Sequence, residues 1–400
     1  MEVPGEIKLI FRNNMKKRLV LAITGIRSEY DIMSSVFQSI KNHPALNLNI
    51  VVTGAHLSEN FGYTINEIEK DGFEIVDRIE SLLSGNQESL RIKGLGIQIQ
   101  GLVQTVMRIK PDFLLVLGDR EESIATALVS TYMNIPLVHI AGGDRVVGNI
   151  DDQIRHAVTK LAHIHLTTNI ESKDRIILMG EQRFRVHNVG NPGLDRLVKT
   201  KKLSRSQLSK NLNFELTNDE PYIVLIQHAL SSEVDQAYQQ MKITLEALKK
   251  MELKTIISFP NSDAGGMEII RAINEFERLP FIYTAKNIPR LEFVNLLRGA
   301  ACLIGNSSAG ILEAPLLKIP VINVGNRQKG RLHSENVEFV AHSKSKIIRA
   351  INKAMFDKKY IARVQKCSNP YGNGKSSDKI AEIISSVKID DKLLIKDITY

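Results

Sequence analysis

The chain has no tryptophan and two cysteines, Cys302 and Cys367, in 400 residues. Two thiols cannot build the disulfide framework on which small secreted domains depend. Cys302 lies in an apolar strand pattern, where a buried and inert thiol is expected, and the reading is cytoplasmic. No apolar run approaches the roughly 20 residues that span a bilayer, so no membrane partner is expected. The opening MEVPGEIKLIFRNN has an acid near its start and an apolar run too short for a signal peptide. Residues 1–15 are therefore read as an extension, with Met15 as an alternative start. Aromatic residues make up 6% of the chain. The basic stretches KTKKLSRSQLSK (199–210) and KSKIIRAINKAMFDKKYIARVQK (344–366), which contribute to a net charge of +9, lack the interleaved aromatics of a single-strand binder. They read as solvated faces, and no nucleic-acid partner is expected. The G-x-G-x-x-G dinucleotide fingerprint is missing after the first strand. YGNGKSS (371–377) is not a phosphate-binding P-loop either, because Asn369 stands where the first glycine is required.

What remains is 43% hydrophobic and 24% charged, long enough for two domains. Short β-rich apolar runs, RLVLAIT (18–24), LNIVVTG (48–54), FLLVLG (113–118), PLVHIA (136–141) and HIHLTT (163–168), alternate with helical-period segments. The pattern restarts with YIVLIQ (222–227), KTIISF (254–259), FIYT (281–284), CLIG (302–305) and PVINV (320–324). Continuous apolar strands alternating with amphipathic helices predict parallel sheets covered on both faces. The expected fold is α/β: two Rossmann-like, doubly wound domains over 16–200 and 221–375, a linker at 201–220, and a C-terminal helix and tail at 376–400. Ligands of such folds sit beyond the C-terminal strand ends, and with two domains the expected site is the cleft between them.

The polar, glycine-bearing stretches follow strands. TGIRSEYD (24–31), GDREES (118–123) and AGGDRVVGNIDDQIRHA (141–157) fall in the first half. QHALSSE (227–233), FPNSDAGG (259–266), GNSSAG (305–310) and GNRQKGR (325–331) fall in the second. Ser307 and Ser308 are placed to cap a helix whose free N–H groups favour an anion, while Gly305 and Gly310 would let a ligand approach the backbone. Glu313, farther along, suits the two hydroxyls of a ribose, and phosphate with ribose indicates a nucleotide. His139, His156, His163 and His165 raise the question of a metal, but no carboxylate or thiol cluster completes a site, and buried or capping histidines are expected.

Taken together, GIRSEYD, GDR, HIAGGD followed by GNIDDQIRHAVTKLAH, FPNSDAGG, LIGNSSAGILEAP and PVINVGNRQKGR resemble the hydrolysing UDP-N-acetylglucosamine 2-epimerase family of sialic-acid biosynthesis, including the epimerase half of the bifunctional animal enzyme. The similarity runs in order from about residue 17 to 375. It implies a fold similar to the GT-B glycosyltransferases, a homodimer or homotetramer, and a nucleotide-sugar substrate converted to free N-acetylmannosamine and UDP without a cofactor. Elementary chemistry agrees with this implication. The C2 hydrogen of a 2-acetamido sugar is so weakly acidic that a base removes it only as the C1–O bond to the diphosphate breaks. That step needs carboxylates on the sugar side and cations on the leaving group.

Carried over by motif, Asp119 and Asp151 match catalytic carboxylates. Arg27, Arg120, His228 and Arg327 match positions near the substrate or its phosphates, and Asn261, Ser307, Ser308 and Glu313 match nucleotide-side positions. Two departures stand out. Where the resemblance implies a catalytic Glu at the third position of H-I-x-G-G, this chain has Ala141, and Gln227-His228 is followed by Ala229 rather than Pro. Either Asp144, three residues beyond Ala141, takes over, or Asp119 and Asp151 divide the work. The alternatives are a non-hydrolysing epimerase, a GT-B glycosyltransferase, an inactive nucleotide-sugar sensor, or a diacetamido-trideoxy sugar on UDP or GDP as substrate.

Overall fold

The computed structural model describes residues 17–85, 87–145, 151–217, 220–260, 264–286 and 288–399. The expected extension 1–15 and Asn261 lie outside the described residues. The chain divides into two compact units: residues up to Pro192 together with those from Ser376 onward, and Gly193–Lys375.

In the first unit, β1 (Arg18–Thr24), β2 (Leu46–Thr53), β3 (Ile75–Ile79), β4 (Phe113–Leu117), β5 (Leu137–Ile140), β6 (Ile164–Thr167) and β7 (Val186–Asn188) form one sheet. Its order is β3-β2-β1-β4-β5-β6-β7 and its pairings are parallel. The second unit carries β8 (Ile223–Ile226), β9 (Thr255–Ser258), β10 (Ile282–Ala285), β11 (Cys302–Gly305), β12 (Val321–Val324) and β13 (Val337–Val340). These are likewise parallel, in the order β10-β9-β8-β11-β12-β13.

Alternation puts both faces of each central strand in apolar surroundings, which explains why these strands read as unbroken apolar runs. Val20 and Ala22 of β1 enter one core, and Leu21 and Ile23 enter the other. In β8, Ile223 and Leu225 divide from Val224 and Ile226 in the same way. Cys302 is fully buried, and burial pushes its thiol up to about 12, as expected of an inert core residue. The strand order reverses between β1 and β4 in one sheet and between β8 and β11 in the other. At such reversals the outgoing helices diverge, leaving strand ends uncovered. TGIRSEYD and GDREES follow β1 and β4, while QHALSSE and GNSSAG follow β8 and β11.

The stretch read as a linker belongs to the second unit. Ser204 and Gln207 form a reciprocal capping box for the helix Arg205–Leu212, whose Leu208 and Leu212 enter the core.

The C-terminal helix Ser376–Ser386 and the tail return to the first unit. Arg185, 1% exposed, donates to the carbonyls of Lys392, Leu393 and Ile395. Lys396 donates to the carbonyls of Thr159, Lys160 and Ala162 at the end of helix Asp151–Leu161 and pairs with Glu181 at 2.9 Å. Burial disfavours the Glu181 carboxylate, but the hydrogen bond and proximity of His165, with Lys160 and Lys396, outweigh it and hold the group at about 2. Burial pulls Lys396 down to about 8, so its ammonium is less favoured than the geometry alone suggests.

A carboxyl held below its ordinary 4.5 adds stability above that pH and loses it as pH falls toward about 2. Glu181→Gln should therefore flatten the melting temperature against pH across that interval, removing on the order of 3 kcal/mol of pH-dependent stability. Parallel curves for variant and parent would refute this role.

Candidate active site

In the first unit, the charged groups are set by the turns after β1, β4 and β5. Gly118, with φ +75°, occupies the left-handed region that the turn after β4 requires. Its N–H donates to Ile140, and its carbonyl accepts from His139 Nε2 at 2.7 Å. Burial holds His139 down at about 3, so the ring is neutral and donates through Nε2. His165 is likewise neutral, pulled by burial to about 4, and faces Glu181. His163 accepts from the Leu137 N–H through Nδ1. Among the described residues, no group of three or more His, Cys, Asp or Glu is placed to hold a metal.

The next residue, Asp119, is half-buried and forms an ion pair with Arg155, whose side chain is 7% exposed. The same guanidinium donates to the Asp144 carbonyl at 2.8 Å and lies 3.4 Å from Asp152 Oδ1. Burial and Arg175 pull Arg155 down to about 10, which leaves it protonated at neutral pH. One arginine thus ties the turns after β4 and β5 to the start of helix Asp151–Leu161. Sequence reasoning missed Arg155, although its spacing of four from Asp151 and three from Asp152 on one helix was a usable signal.

Arg120 precedes the helix Glu121–Met133 and lies 3.5 Å from Glu122 and 3.7 Å from Glu121. Burial works against its charge, but Glu122, Glu29, Glu121 and Asp151 outweigh it and raise the group above its ordinary value. Arg27 is solvent-facing and pairs with Glu67 at 3.4 Å.

Asp144 is anchored rather than open at Oδ1, which accepts from Thr168 Oγ1 at 2.7 Å and Ser172 Oγ at 2.6 Å, with Asn169 Nδ2 at 3.5 Å. This joins the turn after β5 to the turn after β6. Ala141 has φ +62°, an uncommon conformation for a residue with a side chain.

In the second unit, Asn306 organises the turns, another residue the sequence reading passed over. Its Oδ1 accepts the His228 N–H at 2.7 Å, and its Nδ2 donates to the His228 carbonyl at 2.9 Å. Its own carbonyl accepts from Arg327 at 3.2 Å and Gln328 at 2.9 Å. His228 and Arg327, far apart in sequence, therefore meet through one residue, His228 on its side chain and Arg327 on its backbone carbonyl.

The glycines are also required by packing. A Cβ on Gly305, at φ +117°, would run into the Ile226 carbonyl, and one on Gly310 would lie 2.8 Å from Val321. Packing inside the unit accounts for both glycines. Ser307 Oγ accepts from the Ala309 N–H at 3.3 Å, whereas Ser308 makes no side-chain cap. The helix is only Ala309–Leu312, and Glu313 stands at the break before Ala314–Leu317. Glu313 pairs with Arg290 at 2.7 Å, so any ribose hydroxyl would share that carboxylate with a guanidinium.

A family model described as UDP-N-acetylglucosamine 2-epimerase matches residues 38–385. The chain belongs to the UDP-N-acetylglucosamine 2-epimerase family. Its similarity is to hydrolysing members. It is 34% identical over 383 residues to the UDP-N,N'-diacetylbacillosamine 2-epimerase (hydrolyzing) of Legionella pneumophila, covering 96% of this chain and 100% of that one. It is 33% identical over 327 residues to the GDP/UDP-N,N'-diacetylbacillosamine 2-epimerase (hydrolyzing) of Campylobacter jejuni, covering 81% and 84%. Polysialic acid biosynthesis protein P7 of Escherichia coli is 32% identical over 360 residues, covering 89% and 90%. The crystal structure of UDP-GlcNAc 2-epimerase from Neisseria meningitidis bound to UDP-GlcNAc shares the fold, with a TM-score of 0.75 at 19% identity over 92% and 99% of the two chains. For this epimerase family member, the first unit carries Asp119, Asp144 and Asp151 and the second holds His228, Arg327 and Glu313. No described helix is long and apolar enough to cross a membrane.

Proposed function

We propose that the chain is a hydrolysing 2-epimerase that converts a UDP-linked 2-acetamido sugar into the free 2-epimeric sugar and UDP. The observation that carries this reading is the buried Arg155 holding Asp119 at the β1/β4 reversal, with Arg120 the next residue of that turn and Asp151 on the helix that carries Arg155. Asp119 and Asp151 are the working carboxylates in this reading. One takes the C2 proton while the C1–O bond breaks and the diphosphate leaves with the electron pair. The product of that step is a 2-acetamidoglucal. Water then adds, with hydroxyl to C1 and a proton to C2 on the opposite face, so the sequence is redox-neutral. Arg120 opposes the negative charge that develops. His228, Arg327, Ser307 and Ser308 take the diphosphate, and Glu313 takes the ribose. Asp144 acts as a pin for the turn that faces the sugar.

A diacetamido-trideoxy sugar is the second substrate reading, supported by the names of the Legionella and Campylobacter relatives. Proton NMR of the protein with UDP-N-acetylglucosamine and with UDP-N,N'-diacetylbacillosamine should show free sugar and UDP from one of them. In deuterated water the product should carry one deuterium at C2. Protium retained at C2 would exclude elimination and addition. A product still linked to UDP would assign the non-hydrolysing reaction instead.

A further inference from the structure

Behind Arg120 lies an acid pair that the reaction as described does not use. Glu122, in the first turn of helix Glu121–Met133, has a side chain 6% exposed, and Glu29 is 7% exposed. The two carboxyls flank one glycine. Glu29 Oε2 accepts the Gly25 N–H at 3.0 Å, and a Cβ on Gly25 would fall inside the Glu122 carboxyl group. A Cβ on Gly54, in the turn after β2, would lie 2.9 Å from Glu122 Oε1. Two strand-end turns therefore dispense with side chains to make room for this carboxyl. Its Oε2 and the Nε of Arg120 lie 3.5 Å apart, and each is buried without a hydrogen-bond partner. An apolar side chain in this place would cost less than a second buried acid, so stability does not explain Glu122.

We propose, resting on the reaction assigned above, that Glu122 and Glu29 hold one proton between them and that Glu122 is a positioning residue that sets the direction of the Arg120 side chain in the turn it shares with Asp119. Two buried carboxyls against one guanidinium cannot both ionise without leaving net negative charge in a low-dielectric site. The other groups around the pair do not change this balance. Glu121 is engaged by Arg91, Asp151 adds negative charge, and His56 in the Gly54 turn is held neutral by burial at about 4. Burial is the main reason Glu29 stands well above the ordinary carboxylate range, with the Glu122 charge adding to it, and burial raises Glu122 as well. With one proton in the pair, Glu29, Glu122 and Arg120 sum to neutrality, and Arg120 remains available to the sugar side. Loss of that proton at alkaline pH draws Arg120 onto the pair.

Infrared spectroscopy of the substrate-free protein at pH 7 should show a protonated-carboxyl band that is missing from both Glu122→Gln and Glu29→Gln. Absence of the band in the parent would overturn the shared proton. With the nucleotide sugar that turns over, Glu122→Ala should lower kcat by about 100-fold, the cost of misplacing a reacting group by about 1 Å. Glu122→Gln should recover part of that loss and displace the alkaline limb of the kcat/KM profile. A parental kcat in Glu122→Ala, or an alkaline limb unmoved in Glu122→Gln, would overturn the positioning role. If neither sugar reacts, the proposed function falls, and the infrared band alone decides this inference.

Discussion

Asp119→Asn should lower kcat by about 10²–10⁴-fold, the range for a lost acid–base group, while KM changes little. The amide keeps the size of the side chain and its place after Gly118 but cannot accept the C2 proton. An interaction made only as that proton moves appears in kcat rather than in substrate binding. The substitution also removes an anionic partner of Arg155, whose side chain is 7% exposed. Breaking a buried pair from one side costs about 3–5 kcal/mol, so the melting temperature should fall too. Kinetics must therefore be measured below the variant's own transition. A kcat within a few-fold of the parent would remove Asp119 from proton transfer and leave Asp151 as the base.

Asp144 should respond differently to its two obvious replacements. Thr168, Asn169 and Ser172 are 3%, 5% and 1% exposed, and all three direct a donor at Asp144 Oδ1. Asp144→Ala strands those donors, and each unsatisfied buried group costs about 1–3 kcal/mol. A total of about 3 kcal/mol or more corresponds to a fall in melting temperature on the order of 10 °C for a domain of this size. Asp144→Asn keeps an oxygen acceptor and should lose much less stability, with kcat within about tenfold of the parent. A fall of 10² or more in kcat at unchanged melting temperature would instead make Asp144 the substitute for the glutamate that the family resemblance places at Ala141. Ala141 already carries the strain of φ +62°, which arises at Cβ, so Ala141→Glu adds a carboxyl there without adding backbone strain.

The ten strands expected from apolar runs correspond to all the inner strands of both sheets and to the edge strand β10, whereas β3, β7 and β13 were not anticipated. Those three are the other edge strands and have sequences such as IVDRI and VHN, with intermediate or exposed positions. An edge strand is buried on few sides, so its sequence need not be uniformly apolar, and the signal that marked the inner strands is absent. The helix in 205–212 was hidden for a related reason. Its two apolar contacts, Leu208 and Leu212, are too few to stand out from a basic stretch.

The sequence by itself determined the two doubly wound sheets and the family, because burial on both faces and glycine-bearing turns leave local, contiguous marks. It also located the strand-end turns that carry Asp119, Arg120, Asp144, His228, Ser307 and Arg327. Tertiary structure alone decided what those residues touch. Arg155 reaches Asp119 across 36 positions, Asn306 joins His228 to Arg327, Arg290 takes Glu313, and Gly25 makes room for a carboxyl from another turn. Each of these contacts joins chain segments brought together only when parallel strands align their ends. Ion pairs and orphaned polar atoms depend on distances of a few ångströms that no local pattern encodes.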